Sequence, residues 1–183
     1  MKDALGRAME RAAALGRKPG ERLIVVSIAR QVLALYQSGA LVRSYAASTS
    51  RRPPSNVRDS LGTPRGLHEI AERLGAGAPP GMVFRGRRPT GHHFSELPAA
   101  EQDRSLVTTR ILWLRGLEPG VNAGTDAEGR CVDTHARYVY VHGTNREDLL
   151  GSPASSGCVL LGNLDVIDLH DRVRTGDLVW IED

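Results

Sequence analysis

Residues 138–161, YVYVHGTNREDLLGSPASSGCVLL, contain the most informative pattern in the chain. The aromatic and β-branched residues 138–141 predict a strand. His142 follows directly, and the end of a strand is a rigid place to hold a catalytic base. A polar loop then leads to a turn of small residues, to Cys158 and to the apolar residues 159–161. The pattern therefore predicts that His142 and Cys158 form a base and nucleophile pair.

This pair predicts a cysteine-dependent acyl-transfer enzyme. A thiol becomes a good nucleophile when a neighbouring imidazole stabilises its thiolate. The Gly143 carbonyl is expected to orient the imidazole, as the third group of a triad does. Gly157 allows a sharp turn, and the amides of Gly157 and Cys158 are expected to face the oxyanion that forms in acyl transfer. The alternative is that Cys158 is a small buried hydrophobe and His142 a surface residue.

Residues 142–163 also resemble the signature of the L,D-transpeptidase catalytic domain family (the YkuD-type domain). The matching positions are His142, Gly143, Gly151, Ser155, Gly157, Cys158, Val159 and Asn163. Three further segments are similar to family segments, namely GTPRG at 62–66, RILWLRG at 110–116 and DTHARYVY at 133–140. The resemblance implies that Cys158 is the nucleophile, that His142 accepts and donates the proton, and that Gly143 supplies the orienting carbonyl.

Two positions depart from the family pattern. Ser156 stands where many members have a second histidine, and Leu160 stands where an arginine often follows the cysteine and an apolar residue. In the family, such an arginine is suited to holding a substrate carboxylate or the loop. These departures therefore bear on the choice of substrate more than on the chemistry.

The resemblance implies an L,D-transpeptidase that acts on peptidoglycan stem peptides through a thioester on Cys158, for cross-linking or protein attachment. With water as the acceptor, the enzyme would be an L,D-carboxypeptidase. Two other interpretations stay open: a secreted envelope-targeting toxin of the same fold, and a non-catalytic peptidoglycan-binding module. The family usually works in the periplasm or cell envelope, whereas no signal peptide is visible in this chain.

The composition is that of an ordinary globular domain. A chain of 183 residues, 40% hydrophobic and 25% charged, is long enough to bury a full core. Its net charge of +3 is not concentrated in a Lys/Arg block, so we expect no nucleic-acid partner. No stretch approaches ~20 apolar residues, so we expect no stable membrane insertion. Two cysteines are too few for a disulfide framework.

We expect no metal and no cofactor, because zinc-type spacing and nucleotide-binding glycine patterns are missing from the sequence. We also expect a monomer. Strand and turn signals predict a mostly β fold, a β-sandwich or partly closed barrel with a few short helices, and the resemblance implies the same. Residues 21–183 are expected to form the catalytic domain.

Residues 1–20 are expected to form an N-terminal helical extension with Leu5, Met9 and Ala12 or Ala13 on its buried face. The Gly/Pro/Arg-rich residues 75–80 and 85–93 are expected to form a flap over the cleft, since long loops are often functional.

Asn163 is expected to cap a helix at 164–173 that supports the cysteine loop from behind. The candidate substrate contacts are Ser155, Ser156, Tyr140, His68 and Arg137. The resemblance suggests that His68 contacts substrate, and the alternative is a solvent-facing or packed histidine. Arg137 either pairs with Asp133 or lines the cleft. Arg51, Arg52 and Arg58 lie in a polar loop, where they are either solvated or form a rim that meets substrate carboxylates.

Overall fold

The computed structural model describes residues 2–18 and 20–183, so that Met1 and Pro19 of the expected 1–20 extension lie outside the described residues. Within these ranges the chain forms three α-helices and ten strands, and the strands join in one mixed sheet that does not close. The mostly β fold predicted from the sequence is therefore confirmed. The helices are α1 (Lys2–Ala14), α2 (Ala99–Gln102) and α3 (Asn163–Arg172). The strands are β1 (Arg22–Ser27), β2 (Val32–Gln37), β3 (Ala40–Ala46), β4 (Gly66–Leu74), β5 (Met82–Arg85), β6 (Arg88–His93), β7 (Val107–Gly116), β8 (Tyr140–Gly143), β9 (Val159–Leu161) and β10 (Leu178–Glu182).

The strand order is β3-β2-β1-β10-β4-β7-β5-β6, and β8 pairs with β7 and β9 beside this path. Successive side chains of a strand point to opposite sides. Five consecutive residues of β1 are buried, so both of its faces are covered. Leu23 and Val25 pack against α1, whereas Ile24 and Val26 belong to the main core. That core also contains Val166 and Leu169 of α3, three residues apart on one helical face.

The buried face of α1 differs from the one that we predicted. Ala4, Ala8 and Ala12 are the buried residues, whereas Met9 is 45% exposed and Leu5 is only partly buried. Residues four apart share a helix face, and small side chains let the helix approach the sheet closely. No helix among the described residues combines the length and the apolarity that crossing a bilayer requires.

The segment expected to form a flap is part of the sheet. β5 and β6 form an antiparallel hairpin, and β5 continues along β7. Gly86 and Arg87 have φ values of 54° and 67°, which suits the tight two-residue turns of hairpins. The guanidinium of Arg87 lies 4.6 Å from the centre of the Trp113 ring. The hairpin tip is therefore fixed by a cation–π contact.

The strands that carry the predicted pair are neighbours. β8 runs antiparallel to β7 and parallel to β9, with Val141 opposite Val159 and His142 opposite Leu160. Cys158 immediately precedes β9, so the two predicted catalytic residues come from adjacent strands. β8 begins at Tyr140, two residues later than predicted, because Tyr138 adopts a left-handed φ of 56°.

Candidate active site

His142 is held in a defined tautomer. Its ring is 3% exposed, and Nδ1 lies 2.7 Å from the Gly143 carbonyl oxygen. A carbonyl only accepts, so Nδ1 carries the proton and Nε2 keeps the lone pair that a base needs. Burial lowers the pKa of His142 to about 4, against the opposing effect of the bond to Gly143. The resting imidazole is therefore neutral.

Gly143 is required by close packing. A Cβ at this position would lie 2.9 Å from Asn163 Oδ1 and 2.9 Å from both the carbonyl and the hydroxyl oxygen of Thr108. These distances are shorter than side-chain carbons tolerate, and all three atoms belong to residues of β7 or α3, which cannot easily move. The absence of a side chain thus lets the carbonyl that orients His142 sit deep in the fold.

Asn163 organises the residues behind His142. Its Oδ1 accepts hydrogen bonds from the hydroxyls of Thr108 (2.7 Å) and Thr109, and its Nδ2 donates to the Thr144 carbonyl (2.9 Å) and to Glu147 Oε1 (2.6 Å). The predicted capping role is wrong, because Gly162 is the N-cap of α3 and Asn163 is the first residue of that helix. Its buried amide fixes the segment that follows β8 instead.

The sulfur of Cys158 is enclosed by backbone. The Tyr140 amide donates to Sγ at 3.4 Å, and the thiol donates to the Tyr138 carbonyl at a distance of 3.7 Å. The residue is only partly exposed. Burial raises the pKa of the thiol to about 11, although the Tyr140 amide and the charge of Arg137 both act to lower it. The resting Cys158 thiol is therefore neutral.

Ser155 builds the turn before Cys158. Its hydroxyl donates to the Cys158 carbonyl at 2.6 Å and accepts from the Gly157 amide at 3.2 Å. Gly157 has a φ of 126°, a conformation open mainly to glycine. The Gly157 amide, which we expected to face an oxyanion, is thus engaged by Ser155 in the resting structure.

Cys158 lies where two cavities meet. A cavity of about 170 Å³, the histidine cavity, is lined by Ser105, Val107, His142, Ser155, Ser156, Cys158 and Leu160. A cavity of about 440 Å³, the arginine cavity, is lined by Arg58, Asp59, Leu61, Ala136, Arg137, Tyr138, Val139, Ser156, Gly157 and Cys158. The fold thus makes His142 and Cys158 part of the lining of one small cavity, and Cys158 also lines the larger one.

Comparisons with known proteins identify the family of this domain. The sequence profile of the L,D-transpeptidase catalytic domain (YkuD) matches residues 21–181. The chain belongs to this family. Over 60 residues the L,D-transpeptidase domain is 38% identical to YqjB of Bacillus subtilis (strain 168), a provisionally named L,D-transpeptidase, and the match covers 33% of this chain and 32% of YqjB.

Solved structures support the same fold for the L,D-transpeptidase domain. It is similar to an L,D-transpeptidase from Mycobacterium smegmatis (TM-score 0.54, 18% identity, 89% of this chain and 59% of that chain). It is also similar to L,D-transpeptidase 3 from Mycobacterium tuberculosis in complex with a faropenem-derived adduct (TM-score 0.54, 16% identity, 89% of this chain and 60% of that chain). The chain thus spans about a third of YqjB and about three-fifths of each mycobacterial chain.

The other predicted contacts of the L,D-transpeptidase domain differ in their access to the cavities. Ser156 is exposed and lines both cavities. Tyr140 is 8% exposed, its ring packs edge-on to His142 and Trp113, and its backbone rather than its ring meets the sulfur. Arg137 lines the arginine cavity and donates to backbone carbonyls, so the lining alternative fits better than a pair with Asp133.

His68 does not reach either cavity. Its ring is fully buried, with Nδ1 3.0 Å from the Gly66 carbonyl and Nε2 3.1 Å from the Thr134 hydroxyl. Both ring nitrogens already have partners, so the substrate contact suggested for His68 is corrected to a structural role. No three His, Cys, Asp or Glu side chains in the described part of the chain come together as metal ligands.

Several residues that surround the candidate site of the L,D-transpeptidase domain were not predicted from the sequence. Tyr138 is 54% exposed beside the sulfur, and Arg87 lies over its ring at 5.1 Å. Thr108 and Thr109 are fully buried in the network behind His142. The local signal was this pair of hydroxyl residues near the start of the strand VTTRILWLRG, because buried hydroxyls need partners.

Proposed function

We propose that this chain is a cysteine-dependent L,D-transpeptidase that acts on peptidoglycan stem peptides. The observation that carries the proposal is the shared cavity of Cys158 and His142, in a domain of the L,D-transpeptidase family. We further propose that residues 21–183 are the catalytic unit, that the protein is a monomer, and that it works in the periplasm or cell envelope, as its family generally does.

In the first step, the Cys158 sulfur attacks the carbonyl of the bond that follows the third residue of the stem peptide. His142 Nε2 accepts the thiol proton, and the new C–S bond gives a tetrahedral oxyanion. When the C–N bond breaks, His142 returns the proton to the departing amine of the D-residue. The products are a thioester on Cys158 and a free D-amino acid.

In the second step, an amine of a second stem peptide or of a protein attacks the thioester. His142 Nε2 accepts a proton from that amine, and the C–S bond breaks to regenerate the thiol with the same proton. The new amide is the cross-link or the protein attachment. Water in place of the amine gives a shortened stem peptide, which is the L,D-carboxypeptidase outcome.

Proton transfer is coupled to the attack on the carbonyl. With pKa values of about 11 for Cys158 and about 4 for His142, a thiolate–imidazolium pair is rare in the resting protein. The proton therefore moves as the C–S bond forms and the negative charge passes to the oxyanion. This electrostatic arrangement makes the nucleophile depend on a bound substrate.

The oxyanion needs hydrogen-bond donors near the sulfur. The Cys158 amide is one expected donor. The Gly157 amide is the second, provided that its long 3.2 Å bond to Ser155 gives way when the oxyanion forms. A charged acceptor forms stronger hydrogen bonds than a hydroxyl does, so this exchange is favourable.

The test uses purified protein with tetrapeptide muropeptides and mass spectrometry. We expect release of the terminal D-residue together with cross-linked dimers, abolished by Cys158→Ala and retained by the matched Cys131→Ala variant. Tripeptide products without dimers would identify a carboxypeptidase. Full activity of Cys158→Ala would refute the mechanism, and muropeptide binding without turnover would favour the non-catalytic module.

A covalent probe tests the nucleophile independently of the acceptor. The related mycobacterial enzyme was solved with a faropenem-derived adduct. We expect faropenem to raise the mass of this protein by one adduct located on Cys158. A Cys131 adduct that persists in Cys158→Ala would contradict the assignment.

A further inference from the structure

The side chain of Arg137 is partly buried and carries a positive charge that lacks a carboxylate partner among the described residues. Its Nη1 donates to the Ser55 carbonyl at 3.1 Å and its Nη2 to the Gly62 carbonyl at 2.8 Å. It forms no ion pair with any side chain in residues 2–18 and 20–183. Two neutral acceptors use only part of its five N–H donors.

Partial burial of the Arg137 charge costs free energy of solvation. Burial lowers the pKa of Arg137, and the nearby Arg58 acts in the same direction. The groups that oppose this effect are the thiols Cys131 and Cys158, when ionised, and Asp59. Because the resting Cys158 thiol is neutral, most of the charge on Arg137 is left without a counter-ion in the free protein.

The arginine cavity has the size and charge to take an anionic group. It contains two guanidinium groups, Arg137 and Arg58, against the one carboxylate of Asp59, and it reaches the Cys158 sulfur. Its volume of about 440 Å³ exceeds the 170 Å³ of the histidine cavity. A peptide segment therefore fits on this side of the nucleophile, with an acidic group facing the two arginines.

A second cavity with two arginines lies beside the arginine cavity, but its arginines are exposed to solvent. This cavity of about 330 Å³ is lined by Arg51, Arg52, Leu61, Ser155 and Ser156. Arg51 and Arg52 are exposed, and exposed charges bind anions weakly because water screens them. Arg137 is the partly buried arginine of the group, so it is the one expected to discriminate between substrates.

We propose that Arg137, assisted by Arg58, binds a free carboxylate of the acyl donor, so that the enzyme selects stem peptides whose carboxylate is not amidated. This inference rests on the proposed function of the same site. Guanidinium and carboxylate form paired, charge-assisted hydrogen bonds that a carboxamide cannot reproduce. The arginine that the family often has after the cysteine is Leu160 here, and Arg137 supplies a positive charge in the arginine cavity instead.

The experiment compares two donors on matched variants. The donors are tetrapeptide stems with a free carboxylate at the second or third residue and the corresponding carboxamides. We expect the native protein to prefer a free-acid donor by about 10- to 100-fold in kcat/KM, the range of one hydrogen bond to a charged group. Arg137→Gln is expected to reduce this preference, because only the free-acid donor loses a charge-assisted contact, so that its kcat/KM falls about tenfold more than that of the carboxamide donor.

Arg137 also donates hydrogen bonds to the Ser55 and Gly62 carbonyls. The other variants therefore separate its proposed contact with the substrate from its support of the loop that contains Ser55 and Gly62. A purely structural role would slow both donors equally in Arg137→Gln, which would overturn the inference. The exposed Arg58→Gln is expected to reduce the preference in the same direction but less, and it tests the idea if Arg137→Gln does not fold. Arg17→Gln, a remote exposed arginine 4.0 Å from Glu69, is the charge-matched control and should keep the native preference.

Two outcomes distinguish a failure of the carboxylate site from a failure of the proposed transpeptidase activity. No turnover of either donor by the native protein would count against the proposed transpeptidase activity itself. Equal turnover of free-acid and carboxamide donors would leave that activity intact and overturn the carboxylate site.

Discussion

The reactivity of Cys158 toward a neutral alkylating agent measures the electrostatics around the nucleophile. The perturbation is pH, applied to a Cys131→Ser protein so that a single thiol reports. Burial of the sulfur raises the pKa of Cys158 to about 11, although the hydrogen bond from the Tyr140 amide acts to lower it. A raised thiol pKa means that the neutral form persists through neutral pH, and we therefore expect slow alkylation at pH 7.

The expected size of the effect follows from the two pKa values. At pH 7 about one Cys158 thiol in 10⁴ is ionised, compared with about one in 10² for a thiol of pKa 9.0. A thiolate of higher pKa is more nucleophilic, and over two pKa steps this recovers roughly six- to tenfold. We therefore expect iodoacetamide to react with Cys158 about tenfold more slowly than with a small free thiol, and more slowly still if access is restricted.

The assay follows the mass of the protein against time between pH 6 and pH 10, with N-acetylcysteine as the reference thiol. The rate should rise about tenfold per pH step throughout this range, because the pKa lies above it. His142→Gln should leave this slope unchanged, since a neutral imidazole does not hold the proton. A fast rate that levels off near pH 7 and is lost in His142→Gln would reveal a preformed thiolate–imidazolium pair and refute the reasoning.

Two further predictions concern Gly143 and the buried histidines. In Gly143→Ala, the new Cβ would lie 2.9 Å from Asn163 Oδ1 and the Thr108 carbonyl, so we expect a loss of ~1–3 kcal/mol in urea unfolding and about 100-fold in kcat/KM. Gly6→Ala, with nothing within 4 Å, is the control and should be neutral or stabilising. Burial lowers the pKa of both His68 and His142 to about 4, so the unfolded chain takes up protons first on acidification. Stability should be complete above about pH 6.5 and fall by ~3 kcal/mol per histidine towards pH 4, and a melting temperature constant over this range would contradict the assignment.

Local patterns predicted the strands well and failed where distant contacts set the backbone. Residues 138–141 have the composition of a strand, yet Tyr138 turns left-handed, with its amide bonded to the His135 carbonyl and its own carbonyl facing the Cys158 sulfur. No propensity encodes such a conformation, which the surrounding structure imposes. β6 was missed because its side chains are mostly exposed and show no apolar alternation.

The predicted site shows the same division. His142 and Cys158 were predicted from a short motif, because strand, loop and turn lie in one continuous segment. Thr108 and Glu147 were not predicted as site residues, because their hydrogen-bond partner Asn163 is 55 and 16 residues away in the sequence. On α1 the prediction of a buried Ala12 is confirmed and that of a buried Met9 is wrong, because we favoured a large side chain over the alanines that allow close approach.

The position of β10 constrains how this domain can be made. It is the last strand in the chain, yet it lies between β1 and β4 and supplies the hydrogen bonds that connect the first three strands to the rest of the sheet. During synthesis, the β1–β3 meander and the β4–β7 pair must therefore wait with open edges until residues 178–182 leave the ribosome. Truncation of these few residues would remove no catalytic group, but it would separate the sheet into two aggregation-prone halves.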